Sequence, residues 1–180
     1  MRIANELAAK PVQAAVYQIL LLAVVTAVPL CDSIGAAPHF RLFTNTVGAS
    51  LAPVGSYFPH DEFYDASTRE IVARIGLHAR PQAVVACETP TLYEYYAHKS
   101  GRDDLTFVSL SDRSKVDVLA AGDFVVAAAG RKYLSNAAYI DYLENSIMPV
   151  VETRITGVVS AEVYQLEAKT AADLRAIAKQ

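Results

Sequence analysis

"DFVVAAAGRKYLSN", residues Asp123 to Asn136, passes from an apolar run into a polar loop within fourteen positions. Phe124 to Ala129 carry no polar side chain, and a glycine ends the run. A short apolar stretch bounded this way is expected as a strand buried on both faces. The loop then leads into "SNAAYIDYLENSIM", where Ser135 suits an N-cap and Pro149 follows as a stop. Strand, loop and helix in that order form the repeating unit of an α/β sheet.

Working outward, the same alternation recurs. "ASTREIVARIGLHA" sets Ile71, Val72 and Ile75 on one face, with Ser67 and Glu70 at capping-box spacing, predicting a helix from Ala66 to Leu77. "PQAVVACE" is a short apolar strand, and "TPTLYEYYAHKSG" a helix capped by Thr89 or Thr91 and ended by Gly101. "LTFVSL" follows as a strand and "RSKVDVLAAG" as a short helix or turn. Downstream, "VETRITGVVSAEVYQLE" holds two β-rich segments around Gly157 and predicts a hairpin. "KTAADLRAIAKQ" closes the chain as a polar terminal helix or frayed tail. The fold class is therefore α/β, a small sandwich of sheet and helices with a C-terminal β-hairpin.

The chain of 180 residues has room for one domain plus an appendage. Its net charge is −3 with no basic stripe, so nucleic acid is not an expected partner. Cys31 and Cys87 have no metal-ligand spacing, and no disulfide is expected between them. The appendage is the N-terminal run "PVQAAVYQILLLAVVTAVPLC", Pro11 to Cys31, which contains no charge. About twenty helical residues cross a hydrocarbon core of about 30 Å, so this run is expected to be a transmembrane helix. Arg2 and Lys10 precede it and only Arg41 follows closely, which places the N-terminus in the cytoplasm and the rest outside. A cleaved signal peptide with "GAA" at Gly35 to Ala37 is the rival, but the apolar core exceeds the usual ~7–15 residues. A buried helix of a globular domain is a third reading, disfavoured by the unbroken apolar circumference. The expected organisation is a cytoplasmic tail over 1–10, the span over 11–31 and a membrane-proximal linker over 32–56. An extracytoplasmic α/β domain over 57–168 and a tail or helix over 169–180 complete it.

"PHFRLFTN", "YFPHDEFYDASTREIV", "GRKYLSN" and "ITGVVSAEVYQL", in this order, resemble the C-terminal part of bacterial polytopic membrane glycosyltransferases (GT-C type). Those enzymes are similar to the dolichyl-phosphate-mannose protein mannosyltransferases and the aminoarabinose transferases. The resemblance includes a final pattern matched by Gly157, Ala161, Val163, Tyr164 and Leu166. It implies a last transmembrane helix leading into a small extracytoplasmic α/β domain. In that family the catalytic carboxylate lies in the first extracytoplasmic loop of a chain with about a dozen spans. This chain has one predicted span and no such loop, so no catalytic residue is carried over.

Two stretches carry site chemistry. "YFPHDEFYD", Tyr57 to Asp65, gathers His60, Asp61, Glu62 and Asp65; His60, Glu62 and Asp65 are the candidate metal ligands. Adjacent residues of an extended segment point apart, so capping of the next helix and docking by Phe58, Phe63 and Tyr64 is the preferred reading. "GRKYLSN" offers Arg131, Lys132, Tyr133, Ser135 and Asn136 beyond a strand and before a helix, where open α/β sheets bind ligands. The aromatic helix has Tyr93 and Tyr96 on one face with Tyr95 turned away, which reads as core packing with an exposed tyrosine edge. Glycine-rich phosphate loops and Gly-x-Ser-x-Gly elbows do not occur.

The sequence thus predicts a non-catalytic, single-span protein of the cytoplasmic (inner) membrane with its domain on the extracytoplasmic, periplasmic side. It is expected to serve as an accessory or scaffold subunit among other integral membrane proteins, with no cofactor and no small-molecule or sugar ligand. The alternative is a fragment or split half of a lipid-linked-sugar-dependent glycosyltransferase whose domain helps bind acceptor or donor.

Overall fold

A computed structural model describes residues 10–35, 64–155 and 158–179, with the side chains of 10–14, 32, 35 and 64 outside the description. The expected linker over 32–56 therefore lies almost wholly outside the described residues, as do His60, Asp61, Glu62, Phe58, Phe63 and Gly157. The chain divides into two units, Met1–Val54 and Gly55–Gln180.

Among the described residues, the first unit holds a long helix, α1 (Lys10–Gly35), of 26 residues. Its described apolar side chains are all exposed, from Val16 through Leu20 and Val25 to Leu30 and Ile34. Thr26 returns its hydroxyl to the carbonyls of Leu22 and Ala23, and Ser33 donates to Pro29 at 2.7 Å. Those hydroxyls are thereby satisfied without water. Pro29 lies inside the helix, which continues through it to Gly35. A proline removes one intrahelical donor, and here that loss does not stop the last turn from forming. Among the described residues, no helix is long and apolar enough to cross a membrane.

The second unit is a mixed five-stranded sheet between two helical layers. A 3₁₀ turn (Tyr64–Ser67) leads into α2 (Thr68–His78), then β1 (Val84–Cys87), α3 (Pro90–Lys99) and β2 (Thr106–Ser109). The short helix α4 (Arg113–Val116), β3 (Phe124–Ala128) and α5 (Ala137–Ser146) follow. The hairpin β4 (Val151–Ile155) and β5 (Val158–Gln165) and the helix α6 (Ala168–Ala178) complete the unit. Strand order is β2-β1-β3-β5-β4: β1 pairs parallel with β2 and β3, and β5 antiparallel with β3 and β4.

Side-chain alternation along the strands divides the core in two. Val85, Cys87, Phe107, Phe124, Val126, Ala161 and Val163 face α2 and α3, meeting Ile71, Val72, Ile75, Tyr93 and Ala97. Ala86, Val125, Ala127 and Tyr164 face the opposite layer, meeting Val116, Tyr139, Ile140, Leu143 and Leu174. Strands buried on both faces explain why "VVAC" and "FVVAA" read as continuous apolar runs rather than alternating ones.

Some expected helix ends differ. Ser67 is buried but accepts no capping hydrogen bond, and neither Thr89 nor Asn136 caps its helix through a side chain. Asn136, not Ser135, precedes α5, and its side-chain oxygen accepts from the Tyr133 amide in the loop instead of capping the helix. Gly101 does end α3, in the left-handed region at φ 73° that favours glycine. The terminal segment is no frayed tail: Ala171, Leu174 and Ala178 of α6 are buried in the second core, so the folded unit extends past 168.

Candidate functional site

In the sheet order, β1 connects to β2 on one side and β2 crosses back to β3 on the other. The carboxyl ends of β1 and β3 therefore flank the topological switch point, where open α/β sheets hold ligands. The three parallel strands deliver Glu88, Ser111 and the loop 130–136 to this edge.

Asn136 is fully buried and joins the two sides of the crevice. Its Nδ2 donates to Glu88 Oε1 at 2.7 Å and to the Arg131 carbonyl at 2.8 Å, while its Oδ1 accepts from the Tyr133 amide at 2.7 Å. Both amide hydrogens and the amide oxygen thus have partners, which is the condition for burying them. Ser111 Oγ lies 3.0 Å from both Glu88 carboxylate oxygens and 2.7 Å from Ser135 Oγ. A serine hydroxyl has one hydrogen to give. With Ser111 donating to the carboxylate and Ser135 donating to Ser111, the exposed outer hydroxyl presents acceptor lone pairs outward.

Beside this chain sits Asp65, from the 3₁₀ turn. One of its oxygens accepts from Arg131 Nη2 at 2.5 Å and the other from Thr89 Oγ1 at 3.0 Å. Arg131 Nη1 also donates to Tyr133 Oη at 3.1 Å. Burial opposes the charge on Arg131, but the bonds to Tyr133 and Asp65 outweigh it and hold the guanidinium above its ordinary value. Asp65 thus spends both oxygens on protein donors rather than facing an open ligand position. Among the described residues, no group of three or more His, Cys, Asp or Glu is placed to hold a metal.

Of the five loop residues singled out in the sequence, Arg131, Tyr133, Ser135 and Asn136 converge on this edge. Lys132 does not: its Nζ turns to Asp141 at 2.6 Å and Glu144 at 3.0 Å on α5, which raise its pKa. Glu88, Thr89 and Ser111 were missed. Each lies one or two residues beyond a parallel strand, and that position is the signal a strand-by-strand reading could have used. The Cys87 thiol is buried at the end of β1, and desolvation pushes its pKa well up, so it is a packing group rather than a nucleophile.

A second concavity, an open groove of about 740 Å³, lies between α5 and the hairpin and is lined by Lys132, Glu144, Met148, Glu152, Glu162 and Tyr164 among others. Glu152 and Glu162 are direct cross-strand partners. Tyr164 donates to Glu162, and burial followed by that bond raises the phenol's pKa.

Comparisons with protein-family models, curated proteins and solved structures find no match for this chain.

Proposed function

We propose that this chain is a membrane-anchored accessory subunit, held by α1 and working through its α/β domain within a larger membrane complex. The observation that carries this reading is the exposure of every described apolar side chain of α1, combined with the absence of charge from Pro11 to Cys31. A helix apolar on all sides calls for a non-aqueous surrounding. The uncharged residues 15–31 rise roughly 25 Å at ~1.5 Å each, short of the ~30 Å of a hydrocarbon core, which is why the described residues alone hold no helix long and apolar enough to cross; the proposal adds the uncharged residues 11–14 of the sequence to that length. Satisfied hydroxyls at Thr26 and Ser33 suit the same surroundings. The lysine and arginine placement favours an extracytoplasmic domain in the cytoplasmic membrane.

Alkaline carbonate extraction and protease accessibility of the native chain test the anchoring. Retention in the membrane pellet, with the domain cleaved only from the extracytoplasmic side, supports the reading; release into the supernatant overturns it. A gentle-detergent pull-down then tests the subunit role, which fails if the chain is recovered alone.

The glycosyltransferase reading, a split half whose domain helps bind an acceptor or a lipid-linked donor, draws on the resemblance and on one feature of the fold. The Glu88–Ser111–Ser135 chain opens at the carboxyl edge of the parallel strands, where a hydroxyl-bearing group would meet matching polar atoms. Recovery of a multi-span partner with an acidic first loop would favour it.

A further inference from the structure

Arg69 and Ala73 of α2 face Tyr95, Tyr96 and Lys99 of α3, with Ser100 at the helix end, across a cleft of about 570 Å³. The composition of this cleft differs from every other concavity described above. Its lining holds two cations and no acid. Arg74 is paired with Glu70, Arg80 with Asp123, Arg102 with Asp104, and Lys132 with Asp141 and Glu144. Arg113, Lys115, Lys169 and Arg175 enter no ion pair among the described residues, so what sets Arg69 and Lys99 apart is that one cleft brings them together beside two tyrosines. Among the described residues, neither Arg69 nor Lys99 enters an ion pair, and both are exposed. Lys99 instead holds its ammonium 4.7 Å over the Tyr95 ring. Tyr95 and Tyr96 meet edge to face at 5.2 Å between centroids, with Tyr95 half-exposed. Such an aromatic corner presents apolar ring surface with a phenol at its rim.

A guanidinium matches phosphate oxygens with paired donors, and an ammonium adds a point charge. The tyrosine rings offer a flat surface for the carbon skeleton bearing that phosphate. We propose that the α2–α3 cleft binds an organic phosphate ester of a hydroxylated compound, its phosphate between Arg69 and Lys99 and its carbon skeleton against Tyr95 and Tyr96. The ester's source is either a soluble sugar phosphate or the headgroup of a phospholipid; both present the same chemistry. This site is separate from the carboxyl edge of the sheet and does not depend on the membrane role of α1.

The test titrates the full-length chain in neutral detergent, followed by calorimetry, with glucose 1-phosphate, glycerophosphoglycerol, inorganic phosphate and glucose. Saturable binding of glucose 1-phosphate, weakened about tenfold or more in R69Q/K99Q, supports the site with a soluble ligand. The same behaviour with glycerophosphoglycerol alone supports it with a lipid headgroup. In Y95A the ester is expected to lose its advantage over inorganic phosphate. Binding unchanged in R69Q/K99Q overturns the proposal, as does no saturation with any ester. Inorganic phosphate binding as tightly as the esters to the unsubstituted protein overturns the role of the tyrosines. All three substituted side chains lie outside the two hydrophobic clusters, except that Tyr96 beside them packs against the first, and far-ultraviolet dichroism checks that each variant is folded.

Discussion

The Asp123 carboxylate is buried to 1% exposure and accepts from Arg80 Nη2 at 3.0 Å, the Val84 amide at 3.0 Å and the Ala120 amide at 2.8 Å. It thereby ties the start of β1 to the turn before β3. Asp123→Ala would strand two backbone donors and one cation, at a cost of about 3 kcal/mol given that Arg80 remains half in water. Urea denaturation checks this; a shift under about 1 kcal/mol would mean that water replaces the carboxylate. Asp104 acts at the surface, where its hydrogen bond with Arg102 holds its pKa down to about 2 from 3.8. A carboxyl depressed in the folded state adds stability that is fully present above pH 3.8 and lost as pH falls toward 2. Asp104→Asn is expected to flatten the fall in thermal midpoint between those values while lowering the midpoint at neutral pH; an unchanged acid slope would assign that slope to other carboxylates. Nothing in "GRDDL" distinguishes Asp104 from Asp103, because the choice depends on where Arg102 lies after the turn. Asp103 instead meets His98 at 2.6 Å.

Helix α6 shows what the sequence left open at the level of elements. "KTAADLRAIAKQ" carries so few large apolar residues that a polar tail was as plausible as a helix, yet Leu174 and Ala171 fill a gap left by α5 and the end of β5. Small residues hide a buried face from a periodicity reading, since alanine serves core and surface alike. The strands were legible for the opposite reason: burial on both faces forces an unbroken apolar run. The switch-point cluster was half legible, its β3 loop standing out by composition while Glu88 and Ser111 became visible only with the strand order. Leu174→Ala should therefore cost about 3 kcal/mol in equilibrium unfolding, as expected for a fully enclosed leucine. A latch joins α6 to α5, Tyr142 Oη donating to Asp173 at 2.6 Å and its pKa rising to about 12 chiefly through that bond. A phenol whose folded pKa is raised adds stability that is complete below its ordinary value near 10 and lost as pH climbs toward 12. Tyr142→Phe should remove that alkaline loss, read as a shallower decline of the thermal midpoint over the same interval.

At the scale of the whole molecule, the proposed accessory-subunit reading gives α1 two separable tasks, anchoring and recognition of a partner. An anchor needs hydrophobicity, and Leu20, Leu21, Leu22, Val24 and Val25 supply it. Recognition between helices in lipid relies instead on small residues and polar side chains that find donors or acceptors on a neighbour. Gln18 is exposed on α1 beside Tyr17, and its amide makes no hydrogen bond to another described residue, unlike the hydroxyls of Thr26 and Ser33. An amide in hydrocarbon without a partner is costly, so a lone anchor would gain by leucine at this position. The accessory-subunit reading therefore makes opposite demands on two variants. Leu21→Arg should release the chain from the membrane, because a cation near the middle of an apolar helix costs about 3 kcal/mol or more. Gln18→Leu should leave the chain in the membrane but reduce the partner recovered with it in gentle detergent by several-fold. If Gln18→Leu retains the partner in full, the contact lies in the α/β domain, and the groove between α5 and the hairpin becomes the next surface to alter.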